Sequence, residues 1–273
     1  MPEKPEVMTV CSALEKRIIG KKITACNVFW NNIIAEPSVV EFKKFICGEV
    51  IHDITSRGKF IVINLYDYSL LIHLRMEGKF TFRDVGSEIE KHEHVEFILD
   101  NKESWRYRDV RKFGKMYLIS KDKVNNVPPL SNLGYDFYDK KLNKDYLYEK
   151  IHNKKLPIKS VLLDQSIICG IGNIYDDEIL FLSKISPTRR ACDITKFECE
   201  EIIKNTKKVL SEAVKLGGTT IRSFTSSEGV HGLFQNKLLV HSREGEKCPN
   251  CGCKILKIKV GGRGTYYCSK CQK

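Results

Sequence analysis

The sequence lacks any apolar run approaching the roughly 18 residues a membrane-spanning helix needs, and its first residues carry no signal-peptide core. An intracellular protein is expected. Heptad repeats and long apolar stretches are also missing, so nothing favours self-association and a monomer is expected. Acidic residues are in short supply: 34 Asp and Glu face 46 Lys and Arg, a formal net charge of +12. That balance points to a polyanionic partner, nucleic acid ahead of an anionic membrane surface. A disulfide framework is absent as well. Of 11 cysteines, Cys11, Cys26, Cys47, Cys169, Cys192, Cys199 and Cys253 are scattered and read as reduced thiols.

The other four cysteines are ordered. Cys248-Pro-Asn-Cys251 and Cys268-Ser-Lys-Cys271 are two CxxC turns, with Gly261-Gly-Arg-Gly264 between them. Each turn sets two sulfurs on one side of a metal, and two turns complete the tetrahedral thiolate shell of one structural Zn2+. A module this small cannot fold on apolar burial alone, so the metal is first of all a staple. Cys253 is an alternate ligand to be weighed beside Cys251. Between Arg243 and Lys273, eight Lys and Arg stand against Glu244 and Glu246; a ribbon so charged is drawn to phosphate.

At 273 residues the chain has length for about two domains plus the ribbon. Val7, Val10, Leu14 and Ile18 recur at helical spacing, predicting a helix over 4–18 ended by Gly20. From Lys22 to about Leu118, short apolar runs such as 60–66, 69–74, 94–99 and 115–119 alternate with turn residues, and a helical pattern interrupts near 39–46. Strands dominate, and the expectation is a β-sandwich. Pro128-Pro129 and the polar stretch after it read as a linker. Beyond it, helices are predicted at 145–153, 157–166, 173–184 and 194–215, the last preceded by Asp193 as a capping signal. The fold class is thus α+β: an N-terminal β-sandwich domain with its own helix (1–130), a linker (131–144), a helical domain (145–240) and a zinc ribbon (241–273).

Two local features carry candidate chemistry. Gly170-Ile-Gly-Asn173 precedes a helix, where close backbone approach and unpaired N–H groups suit a phosphate; a plain interhelix turn is the other reading. Met1-Pro2-Glu3 exposes, once Met1 is removed, a secondary amine. An N-terminal amine titrates near 7.7–8.0, so at neutral pH a useful fraction is nucleophilic. It could attack a sugar C1′, with Glu3 as acid or base beside it; a chance Met-Pro start is the plain alternative.

Taken in order, Pro2-Glu3, Pro5-Glu6-Val7, Arg57-Gly58-Lys59, His73-Leu74-Arg75-Met76, Lys91-His92-Glu93-His94-Val95, Asp109-Val110-Arg111-Lys112-Phe113-Gly114, Leu163-Asp164-Gln165, Gly170 to Glu178, Gly217 to Arg222 and the ribbon resemble the bacterial formamidopyrimidine-DNA glycosylase family, including its endonuclease VIII branch. The resemblance runs from Pro2 to Gln272. It implies a sandwich, a helix-two-turn-helix domain and a zinc finger, acting on duplex DNA that holds an oxidised base or abasic site. It also implies a cytoplasmic location, on the nucleoid when bound.

Under that resemblance Pro2 is the Schiff-base nucleophile, Glu3 the proton carrier, Lys59 a phosphate contact that assists β-elimination, and Arg263 a phosphate grip that assists δ-elimination. Asn173, His92, Arg111, Lys154 and Lys159 complete the backbone clamp; His94 either joins His92 or packs within a strand. Met76, Arg111 and Phe113 fill the space a flipped nucleotide leaves, although without the resemblance Met76 and Phe113 read first as core residues. The loop 217–235 is the expected lid over the flipped base. The implied activity is excision of oxidised purines followed by strand cleavage. A preference for oxidised pyrimidines, as in endonuclease VIII, and a DNA-binding protein without catalysis are the alternatives. The chain departs from the family pattern at Val110, Arg75, Glu77, Ser223 and Lys247; Arg75 and Glu77 place charge beside Met76, which bears on lesion and opposite-base preference.

Overall fold

Helix α1 (Lys4–Ile18) buries Val7, Val10, Leu14 and Ile18 on one face, the stripe its spacing predicts, and lies against the strand Asp53–Arg57. The computed structural model describes residues 2–219 and 232–273. Of the expected lid, residues 220–231 fall outside the described residues, as do Ile221, Arg222 and Ser223 of the Gly-Gly-Thr-Thr motif. Contacts divide the chain into two units, Met1–Ser131 with Gly217–Gly232, and Asn132–Leu216 with Leu233–Lys273.

The first unit continues through β1 (Ile23–Val28), β2 (Ile34–Glu36), α2 (Val39–Ile46), β3 (Asp53–Arg57), β4 (Phe60–Asn64), β5 (Tyr68–His73), β6 (Lys79–Asp84), β7 (Glu93–Leu99), β8 (Glu103–Arg108) and β9 (Lys115–Ser120). Ser38 caps α2, its hydroxyl accepting from Glu41 N at 3.3 Å. One sheet has the order β1-β7-β8-β6 and the other β2-β9-β5-β4-β3. Phe80, Phe97, Trp105 and Tyr107 of the first and Ile61, Ile63, Leu70, Ile72 and Met116 of the second share one buried core. Each such side chain contributes about 1.5–3 kcal/mol on burial. This is the sandwich the sequence predicts.

Register determines where the loops fall. His73 pairs with Phe60 and with Lys115, while Arg108 pairs with Lys79 and with Glu93. The β3–β4 hairpin, the 74–78 loop, the 109–114 loop and the start of β7 therefore lie at one end of the sandwich. Segment 85–92 reaches that end by crossing the outer face of β8. Arg106, fully buried, holds it there: its guanidinium donates to Glu88 O at 2.8 Å and Ser87 O at 2.9 Å and pairs with Glu93 at 2.9 Å and Glu96 at 3.2 Å.

The second unit contains α3 (Lys144–Ile151), α4 (Ile158–Leu162), α5 (Asn173–Leu182), α6 (Lys196–Lys215) and the hairpin β10 (Leu256–Val260) with β11 (Arg263–Tyr267). Two boundaries differ from expectation. α4 stops well short of residue 166 because Asp164 and Gln165 side chains capture the backbone: Asp164 Oδ1 accepts from Ser166 N at 3.0 Å, and Gln165 donates to Leu163 O and Ile171 O while accepting from Gly170 N at 2.9 Å. α6 is capped by Thr195 in a capping box with Glu198, whereas Asp193 pairs with Arg190 at 2.9 Å.

Candidate functional site

At the loop-bearing end of the sandwich, Pro2 and Glu3 are buried and lead into α1. Glu6 locks that first turn. One carboxylate oxygen accepts from Glu3 N at 2.8 Å and the other from Thr219 N at 2.7 Å, so the start of the helix and the 217–219 strand of chain share one anchor. Lys4, also fully buried, donates to Ser56 O at 3.0 Å and Ser56 Oγ at 2.9 Å. The helix start is thereby fixed to the end of β3, beside the hairpin turn that carries Lys59, itself only 6 % exposed. Structure thus brings Pro2, Glu3 and Lys59 to one corner of the unit.

The neighbouring loops carry Met76, Arg111 and Phe113. Arg75 takes up φ 56°, a left-handed conformation unfavourable for a side chain, and its N–H donates to His73 Nδ1 at 3.0 Å. His73 can accept because it is neutral: burial, then the positive charges of Arg75 and Lys59, push its pKa from 6.5 to about 3. Asp109 does the same for the other loop, accepting from Arg111 N at 3.0 Å, Phe113 N at 2.9 Å and Gly114 N at 2.8 Å. Phe113 is left half exposed, with the Arg111 guanidinium 4.8 Å from its ring centroid. His92 and Lys112 also have positive φ, 75° and 58°; such residues cluster where function constrains the backbone. His94 is buried and donates from Nε2 to Asp109 O at 2.8 Å, which is the strand-packing alternative. Burial lowers its pKa.

In the second unit Asn173 is the first residue of α5 and donates to Gly264 O at 3.0 Å. The structure therefore joins the glycine-turn helix N-terminus to the ribbon tip, where Arg263 is exposed. Lys154 is half-buried after α3. Lys159 corrects an expectation. It is fully buried, with Nζ 2.5 Å from Asp177 and 3.5 Å from Asp176, so its charge is paired in the core rather than presented at the surface as a clamp residue would be. Asp177 also accepts from Tyr266 N at 3.3 Å and contacts His241 Nδ1 at 2.7 Å. Glu178 accepts from the backbone of Leu239, Val240 and His241. Helix α5 is thus bound to the ribbon and the segment leading into it through the adjacent carboxylates of Asp177 and Glu178.

Cys248, Cys251, Cys268 and Cys271 place their sulfurs within 4.8 Å of one another, with contacts of 3.8 and 3.5 Å. Four Zn–S bonds of about 2.3 Å at tetrahedral angles need sulfurs about 3.8 Å apart, so the quartet fits zinc and forms one structural site; Cys253 stands outside it.

Sequence reasoning gives no role to Asp109, Glu6, Lys4 or Asp177. Signals existed for two: Glu3-x-x-Glu6 has capping-box spacing, and an Asp opening a turn that ends in glycine is an Asx signature. Lys4 and Asp177 have partners remote in sequence and give no local sign.

A sandwich followed by a helical unit that carries a zinc ribbon defines a class, the nucleic-acid-binding proteins of helix-two-turn-helix and zinc-finger type. The N-terminal domain model of formamidopyrimidine-DNA glycosylase matches residues 1–116, its H2TH domain model residues 133–225, and the zinc finger found in FPG and IleRS residues 245–273. Over 273 residues the chain is 42% identical to the formamidopyrimidine-DNA glycosylase of Oceanobacillus iheyensis, covering 100% of this chain and 98% of that protein. To the Bacillus cereus protein of that name it is 44% identical, covering 100% and 99%. Among solved structures, wild-type Lactococcus lactis Fpg with N7-benzyl-Fapy-dG DNA superposes with TM-score 0.92 at 37% identity, covering 100% of both chains. The L. lactis complex with abasic-site DNA gives 0.91 at 36%, covering 99% of both. The chain belongs to the formamidopyrimidine-DNA glycosylase family and is a DNA glycosylase of base excision repair.

Proposed function

We propose that this glycosylase excises oxidised purines, 8-oxoguanine and formamidopyrimidines, from duplex DNA and then cleaves the strand through a Schiff base on Pro2. The observation that supports this most is the corner where Pro2 and Glu3, at the locked start of α1, are tied through Lys4 and Ser56 to the Lys59 hairpin.

The Pro2 amine, freed by removal of Met1, attacks C1′ with its lone pair as the glycosidic bond breaks and the base leaves with a proton. Glu3 delivers a proton to the sugar ring oxygen as the ring opens, leaving an iminium between Pro2 and C1′. That iminium acidifies C2′; loss of its proton expels the 3′ phosphate, and a second elimination expels the 5′ phosphate. Water then releases Pro2. Lys59 and Arg263 are assigned to phosphate oxygens that leave, bidentately for Arg263, with His92, Lys154 and Asn173 holding further backbone phosphates. Met76, Arg111 and Phe113 occupy the space of the extruded nucleotide, Arg111 reading the orphaned base. Zinc supplies no chemistry, since four thiolates leave no open position. We place the enzyme, as a monomer, in the bacterial cytoplasm with its DNA; among the described residues no helix is long and apolar enough to cross a membrane.

Borohydride added during turnover is expected to trap one protein per DNA strand on a peptide beginning at Pro2, in protein whose intact mass lacks Met1. No adduct from such protein overturns the mechanism. Faster excision of thymine glycol than of 8-oxoguanine paired with cytosine overturns the lesion class.

A further inference from the structure

The phenol of Tyr107 occupies an unusual position. The residue is fully buried on β8, its ring packed edge-on against Phe80 at 5.5 Å. Its oxygen lies against two glycines: a Cβ built on Gly78 would fall 2.2 Å from Tyr107 Oη, and one on Gly114 would fall 1.8 Å from it. Real Cβ atoms essentially never come under 3.0 Å, so both positions require glycine for close approach. These glycines close the two loops of interest. Gly78 N donates to Leu74 O at 3.0 Å across the Met76 loop, and Gly114 N donates to Asp109 Oδ2 at 2.8 Å across the Arg111–Phe113 loop. Both loops cross from one sheet to the other, so the phenol oxygen is a shared stop at which their ends meet. Burial, and then the charge of Asp109, raise the phenol pKa, which keeps the stop a neutral hydroxyl.

We propose that Tyr107 is a positioning residue that sets the spacing between Met76 on one loop and Arg111 and Phe113 on the other, so that the three enter the duplex together as one rigid wedge. The proposal rests on the reading of these three as the residues that fill the vacated space. Insertion of apolar side chains between base steps requires unstacking energy that two independently moving loops would supply less efficiently. Tyr107 touches neither base nor sugar; it acts through the loops.

The test is Tyr107→Phe in the full, zinc-loaded chain, which keeps the ring and removes the stop. A duplex with 2-aminopurine beside a tetrahydrofuran abasic analogue reports wedge entry as a fluorescence rise in stopped flow. In Tyr107→Phe the rise is expected to slow about tenfold, less than the roughly hundredfold that a full ångström of misplacement can cost, while borohydride trapping on a preformed abasic site slows less. Met76→Ala and Phe113→Ala are expected to be non-additive in the wild type and additive on the Tyr107→Phe background. Gly78→Ala, whose Cβ would fall 2.2 Å from Tyr107 Oη, 2.9 Å from its Cζ and 2.7 Å from Leu74 O, displaces the Met76 loop from the intact phenol and is expected to reproduce the slow rise. A wild-type rise that Met76→Ala and Phe113→Ala leave unaltered overturns the wedge reading itself. A wedge-dependent rise that Tyr107→Phe and Gly78→Ala both leave at wild-type rate overturns the role of Tyr107 alone.

Discussion

The two units hold their exposed side chains by opposite means. In the first, loops rest on a large apolar sandwich, and a few buried acceptors suffice to shape them: Asp109 for 109–114, neutral His73 for 74–78, Glu6 for the start of α1. In the second, the hairpin bearing Arg263 has very little core of its own, chiefly Val260 and Ile255 with the cysteines. It is fixed by four thiolates and by a buried charge network of Lys159, Asp176, Asp177 and His241. Apolar area scales poorly in a small module. Where it runs out, stronger and more brittle interactions take over, and failure of one should be abrupt.

Both tryptophans, Trp30 and Trp105, are in the first unit, so tryptophan emission reads that unit alone and makes the contrast measurable. Stripping zinc with a chelator, or replacing Cys268 with Ala, should produce the largest effect. Apparent zinc binding contributes on the order of 10–16 kcal/mol to such modules, so the ribbon unfolds, its thiols become reactive, and duplex binding and strand cleavage are lost while tryptophan emission stays put. A red shift on metal removal would erase the distinction drawn here. Next, Lys159→Met strands two buried aspartates, and breaking a buried pair costs about 3–5 kcal/mol. Calorimetry should show the transition of the second unit falling while the tryptophan-detected one holds; an unmoved calorimetric trace would mean that Asp176 and Asp177 do not need their cation.

The smallest effect sharpens the picture of the first unit. His73 titrates at about 3 when folded against an ordinary 6.5, so below pH 6.5 the unfolded chain binds a proton the folded chain refuses. Stability is complete above that pH and declines as pH falls, by about 1.4 kcal/mol per unit and about 2 kcal/mol between pH 7 and pH 5, levelling off below the folded value. Urea midpoints by tryptophan emission should show the decline, and His73→Asn, which retains an acceptor for Arg75 N–H, should flatten it. An equal slope in both proteins would assign the acid sensitivity elsewhere.

Sequence periodicity was a sound guide to what repeats locally. The α1 stripe, the alternating strands and the cysteine quartet are visible because each depends on neighbours a few residues away. Lys159, a phosphate contact under the resemblance, shows the converse: only folding places it beside Asp176 and Asp177 on the next helix, and no local pattern announces that pairing. Gly78 and Gly114 likewise look like ordinary turn residues until Tyr107 is seen between them. The short span of α4 turned on side chains of Asp164 and Gln165 competing for backbone groups, which helical spacing does not register.

Antiparallel strands return each connection to one end of the sandwich or the other, and the proposed chemistry uses one end only. The turns 65–67 and 100–102 are at the far end, joining β4 to β5 and β7 to β8. Lineages should be free to lengthen, recharge or decorate them. A fluorophore or an inserted peptide at Asn101, exposed in that turn, should ride on the enzyme without disturbing it, giving a handle for watching single molecules search along DNA.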